Sequence, residues 1–73
     1  MDADNLIRMA NRIAEFFEAM PERDEALHGI AEHIRKFWEP RMRAQLLAAL
    51  ADPARAGQLA PMVREALQRH DLK

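Results

Sequence analysis

The sequence predicts an all-α fold: a small antiparallel helical hairpin extended by a third helix and a short fourth. Three observations lead there. Ala, Leu, Met, Glu and Arg dominate the 73 residues, and all are strong helix formers. Val occurs once, at Val63, and Thr is missing, which leaves a sheet little β-branched material. Apolar residues recur at helical spacing between prolines at positions 21, 40, 53 and 61, a helical period with marked stops.

The first helix is expected at about residues 4–19. Asp4 is a good N-cap, and Asp2 and Asp4 both favour the positive end of the helix dipole. Leu6, Ala10, Ile13, Phe17 and Met20 form its apolar stripe, widened by Met9 and Phe16. Pro21 ends it, because the residue before a proline avoids the helical region. The second helix is expected at about residues 23–38. Its first turn carries acids, and Leu27, Ile30, Ala31, Ile34, Phe37 and Trp38 form its stripe. Gly29 inside that pattern costs about 1 kcal/mol against Ala. Close helix–helix approach is the favoured explanation, and a functional backbone contact the alternative.

Pro40 suits the first turn of a third helix over about residues 40–51, with Met42, Leu46, Leu47, Ala49 and Leu50 apolar. Whether it continues the second helix as one kinked rod stays open. Asp52-Pro53 stops it, and residues 52–60 read as a loop with a flexible point at Gly57. Pro61 opens the short last helix, about residues 61–70, with Val63, Ala66 and Leu67 apolar. Asp71 to Lys73 are expected to fray.

Residues 1–73 suffice for one domain with a modest core. Cysteine is absent, so neither disulfides nor thiolate metal sites can reinforce it. Efficient helix packing or a partner surface must do so. The hydrophobic fraction of 49% and charged fraction of 32% belong to a globular chain. No apolar run approaches a membrane span, and the acidic start lacks a signal-peptide core, which predicts a soluble, cytoplasmic protein. The net charge of −1 favours neither nucleic acid nor an anionic membrane. It conceals an asymmetry: residues 1–32 carry a net −5 and residues 33–73 a net +4. The two halves are expected to face each other, or the basic one to face a partner.

Candidate chemistry is sparse. His28 and His33 are five apart and share no helical face, and no two-histidine metal motif occurs. Ser, Thr, Cys and Tyr are all missing, which removes the common nucleophiles. Lys36 lies in a basic stretch, where a solvated or interface lysine is favoured over a catalytic one. Glu15, Glu18, Glu22 and Glu25 could pair for acid–base work, but their spacing is that of a wet helix face. Two glycines, 29 and 57, cannot make a phosphate-cradling loop. The chain is therefore expected to have no active site and to work by binding a larger protein.

The segment from His33 to Arg43 stands apart. It holds four bases, the single tryptophan and a proline break. Trp and Arg are enriched at binding hot spots, and Arg grips carboxylates and phosphates bidentately. For Trp38, core and interface are equally open. For the arginines a partner contact is favoured over a solvated face. Interleaved bases and aromatics also suggest nucleic acid, a minor reading because the cluster is short and the acidic first half repels phosphates.

Three runs carry a family resemblance: Asn5-Leu6-Ile7-Arg8-Met9-Ala10-Asn11-Arg12-Ile13, then His33-Ile34-Arg35-Lys36-Phe37-Trp38-Glu39-Pro40-Arg41-Met42-Arg43, then Leu59-Ala60-Pro61-Met62-Val63-Arg64-Glu65-Ala66-Leu67. In order and over nearly the whole chain, they resemble the delta subunit family of bacterial NAD-dependent formate dehydrogenases. The first two are the more specific; the third is a generic helix start. The central run shows no departure, and residues 52–58 are where the family should vary.

The resemblance implies a non-catalytic accessory subunit of a cytoplasmic, molybdenum-containing enzyme that interconverts formate and carbon dioxide with NAD. In such complexes bis-molybdopterin guanine dinucleotide and iron–sulfur clusters lie in the large alpha subunit, and FMN and the NAD site in others. This chain is expected to bind none of them; it has no cysteine for a cluster. It is expected to dock on the catalytic subunit and support assembly, cofactor insertion or stability. The expected docking surface is His33, Arg35, Phe37, Trp38, Arg41 and Arg43, with Trp38 as apolar anchor and the arginines on carboxylates or cofactor phosphates. Asn5, Arg8, Asn11 and Arg12 form a second polar stripe that the core does not require. The alternative is a free-standing helical dimer or a nucleic-acid-binding regulator.

Overall fold

The computed structural model describes residues 2–70 and Leu72. Among them the chain forms α1 (Ala3–Phe17), α2 (Arg23–Phe37), α3 (Pro40–Ala51), the single turn α4 (Pro53–Ala56) and α5 (Pro61–Arg69), with no strand. The all-α reading holds, as does the hairpin, and the later helices fold back against it. The turn α4 corrects the expected loop over 52–60. Asp52 explains it: its side chain accepts a 3.0 Å hydrogen bond from the Ala54 backbone N–H, and Pro53 preorganises the first residue.

The caps set each boundary. The N-cap of α1 is Asp2, two residues before the expected Asp4, with its carboxylate accepting from the Asn5 N–H at 2.8 Å. α2 and α3 are separate rods. Trp38 and Glu39 are extended between them, and Pro40 starts α3 without needing an N–H donor.

α1 packs against α2, α3 and α5, and α2 also packs against α5. Cover from three sides turns the buried stripe of α1 from the expected one toward Leu6, Ile7, Ala10 and Ala14. Ile13, Phe17 and Met20 are half-buried, and Phe16, expected to widen the stripe, is 77% exposed. On α2 the stripe is as expected except at its end. Trp38 turns inward at 5% exposure, and Phe37 is left outside at 73%. Leu46 and Ala49 of α3 and Met62, Val63, Ala66 and Leu67 of α5 complete the core. The fraying expected at 71–73 lies outside the described residues except at Leu72, which is buried.

The opposed charges of the two halves do meet. Arg55 pairs with Asp4 at 2.6 Å and Arg69 with Asp24 at 2.9 Å, while Arg23 reaches Glu65 at 2.7 Å. These pairs are largely exposed and contribute little stability each.

Gly29 lies under the Phe17 ring. A β-carbon there would sit 2.8 Å from Cδ1 and closer still to Cε1, so close helix–helix approach accounts for the glycine. Gly29→Ala gains about 1 kcal/mol of helix propensity but lifts a ring whose full burial is worth about 1.5–3 kcal/mol. We expect a small net loss in melting temperature for Gly29→Ala that Phe17→Leu partly relieves. Strict additivity in the double-mutant cycle would contradict this coupling.

Candidate functional site

The residues singled out by sequence fall into two groups. One group is absorbed by the fold. Trp38, equally open to core and interface in the sequence and expected as the apolar anchor of docking, is a core residue, because the extended backbone at 38–39 turns it inward where α2 ends. Arg43 donates to the carbonyls of Trp38 at 2.7 Å and Arg35 at 3.1 Å. It thereby satisfies the acceptors left at the end of α2. Arg35 forks onto Glu32, with Nη2 at 2.7 and 2.9 Å from the two carboxylate oxygens. That hydrogen bond lowers the Glu32 pKa, partly opposed by desolvation and aided by the charges of Arg35 and Lys36.

Asn11, placed by sequence on a stripe the core does not require, is a structural clamp. Its Nδ2 donates to the Gln58 carbonyl at 2.9 Å, and its Oδ1 accepts from the Ala60 N–H at 2.8 Å. A single amide thus holds the segment that leads into α5 against α1. Asn5 is half-buried, and its backbone N–H serves the α1 cap.

The other group faces solvent. Arg8, Arg12 and Arg41 are exposed and have no ion-pair or hydrogen-bond partner among the described residues. Phe37 is exposed, and its ring centroid lies 5.0 Å from that of half-buried His33. The expected junction cluster is therefore split. Arg35, Trp38 and Arg43 brace it, while His33, Phe37 and Arg41 present it.

Sequence reasoning missed a companion surface. Ile13, Phe16 and Phe17 of α1 line an open cleft with His33 of α2, about 260 Å³ in volume. The signal in the sequence is Phe16, which sits off the main α1 stripe, although apolar spacing alone assigns it to a wider core.

A second cleft, lined by Pro40, Arg43, Ala44, Leu47 and Leu72, has about 300 Å³ of space and walls that are mainly hydrocarbon. His28 and His70 face each other with ring centroids 5.4 Å apart. Among the described residues no three His, Cys, Asp or Glu side chains come together as a metal cluster. No described helix is long and apolar enough to cross a membrane.

The family model for the NADH-dependent formate dehydrogenase delta subunit FdsD matches residues 5–67. That span includes α2 to α4 whole and all but the outermost residues of α1 and α5. No curated protein and no solved structure matches the chain.

Proposed function

The chain belongs to the NADH-dependent formate dehydrogenase delta subunit family, and on that premise we propose that it is a non-catalytic accessory subunit that docks on the molybdenum-containing catalytic subunit. There it supports assembly, cofactor insertion or stability. The observation that carries the reading is the pair of phenyl rings, Phe16 and Phe37, left in water by a fold that buries Trp38. Large exposed aromatics on adjoining helices mark a surface meant for a partner.

In this reading bis-molybdopterin guanine dinucleotide and the iron–sulfur clusters belong to the catalytic subunit. FMN and the NAD site belong to other subunits of a cytoplasmic complex. The residues that meet the catalytic subunit are His33 and Phe37, with Arg8, Arg12 and Arg41 on carboxylates. Asn11, Arg35, Trp38 and Arg43 hold that surface in shape.

The test is to purify tagged catalytic subunit from cells with and without this chain, then measure molybdenum content and formate-dependent NAD reduction. Co-recovery in fixed ratio, and loss of molybdenum or activity without the chain, is the expected result. Full molybdenum content and activity in its absence, with no co-recovery in its presence, would overturn the reading. The isolated chain should turn over neither formate nor NAD.

A further inference from the structure

The groove between α1 and α2 has a shape and chemistry that name its occupant. One wall is Ile13, Phe16 and Phe17; the other is His33, whose ring lies against that of Phe37 outside the groove lining. Phe16 and Phe17 meet edge to face with centroids 5.3 Å apart, a favoured aromatic geometry that stiffens the wall. Gly29 lets the Phe17 ring lie down on α2 and thereby sets the depth of the groove. The lining is hydrocarbon apart from the imidazole, so it suits an apolar side chain.

The arginines add direction. Arg23, Arg35, Arg55 and Arg69 are held by carboxylates, and Arg43 and Arg64 by backbone carbonyls. Arg8, Arg12 and Arg41 have no such partner among the described residues. On α1, Arg8, Arg12 and Phe16 are spaced by four, so they form one ridge that leads to the groove. That ridge is about 12 Å long. Glu15 and Glu18 are exposed at the same end of α1, and they disfavour a polyanion such as a pterin dinucleotide. A protein segment with separate carboxylates tolerates them.

Resting on the accessory-subunit reading, we propose that the α1–α2 groove receives an acidic segment of the catalytic subunit. One large apolar side chain of that segment enters between Phe16 and His33. Its carboxylates, one to two helical turns away, pair with Arg12 and Arg8. The groove is thus the anchor of the complex, in place of the buried Trp38.

The test uses the full chain, tagged and co-expressed with the catalytic subunit, in two double variants: Phe16→Ser with Phe37→Ser, and Arg8→Glu with Arg12→Glu. All four side chains are exposed, so helicity and melting should stay native, and circular dichroism checks this. The aromatic pair should weaken binding about a hundredfold. The arginine pair should weaken it about tenfold and flatten its salt dependence. If the aromatic variant misfolds, the arginine variant still decides.

The outcomes separate cleanly. Failure of the wild-type chain to hold the catalytic subunit sinks the accessory-subunit reading beneath. Native affinity in both folded variants, with the wild type bound, overturns the groove alone. So does a wild-type dimer that the aromatic variant turns into monomers while affinity for the catalytic subunit stays native, because the groove would then hold a second copy of this chain.

Discussion

Replacing Trp38 by alanine should lower unfolding free energy by about 3–5 kcal/mol, the usual cost of truncating a large buried aromatic. A domain of this length holds about 4–10 kcal/mol in total, so the variant should be partly unfolded at physiological temperature. The site explains the size of the effect. Trp38 is 5% exposed, and it belongs to the same core cluster as Ile34 and Leu46. It sits where α2 ends, and the carbonyl of that residue is the acceptor for Arg43. Loss of the indole opens a cavity and loosens the junction of α2 and α3. Trp38→Phe keeps most of the volume and should retain most of the stability. Urea denaturation followed by far-ultraviolet circular dichroism is the measurement, since the single fluorescent indole is lost in both variants. A native midpoint for Trp38→Ala would show that the residue is not part of the core. The consequence for binding experiments is direct: a docking defect in this variant reports unfolding, not a lost contact.

Asn11→Ala should cost about 1–2 kcal/mol, because it strands the partly buried Ala60 N–H. The Gln58 carbonyl is exposed and turns to water, so its lost bond adds little. The N–H belongs to the N-cap residue of α5, so the loss falls on the helix that closes over α2. For a domain this small the shift is about 4–8 °C in melting temperature per kcal/mol. Asn11→Asp retains an acceptor for Ala60 but places a carboxylate oxygen against the Gln58 carbonyl, so it should rescue only part of the loss. Amide exchange at Ala60 distinguishes this from a general destabilisation: its protection should fall more than that of core amides in α2. Equal loss of protection across the chain would remove the clamp from the account.

Both predictions concern residues that sequence placed at a partner surface. Trp38 takes the core place that the sequence left equally open with an interface, and Asn11 is engaged within the chain. A tryptophan flanked by arginines satisfies the pattern of a hot spot and of a helix terminus equally well. What separates them is the extended backbone at Trp38 and Glu39, which turns the indole inward and leaves Phe37 outside. An asparagine on a helix face carries no sign of a carbonyl 47 residues away. Phe16 shows the opposite error, an apolar residue assigned to the core that the fold leaves in water.

Local and periodic information was enough for the rest. Helix-forming composition, apolar spacing and the four prolines determined an all-α chain and its four main helices to within about two residues, while the structure decided that α2 and α3 are separate rods. The glycine at 29 signals a close approach without identifying Phe17 as its partner. These are properties of neighbours in sequence, and the chain states them directly. Only the tertiary structure decided which side of α1 is buried, because that depends on three helices arriving from different directions. It also decided which arginines are engaged among the described residues and which face solvent. Such choices rest on distances between residues far apart in sequence, where burial and pairing are won by competition among many alternatives of similar energy.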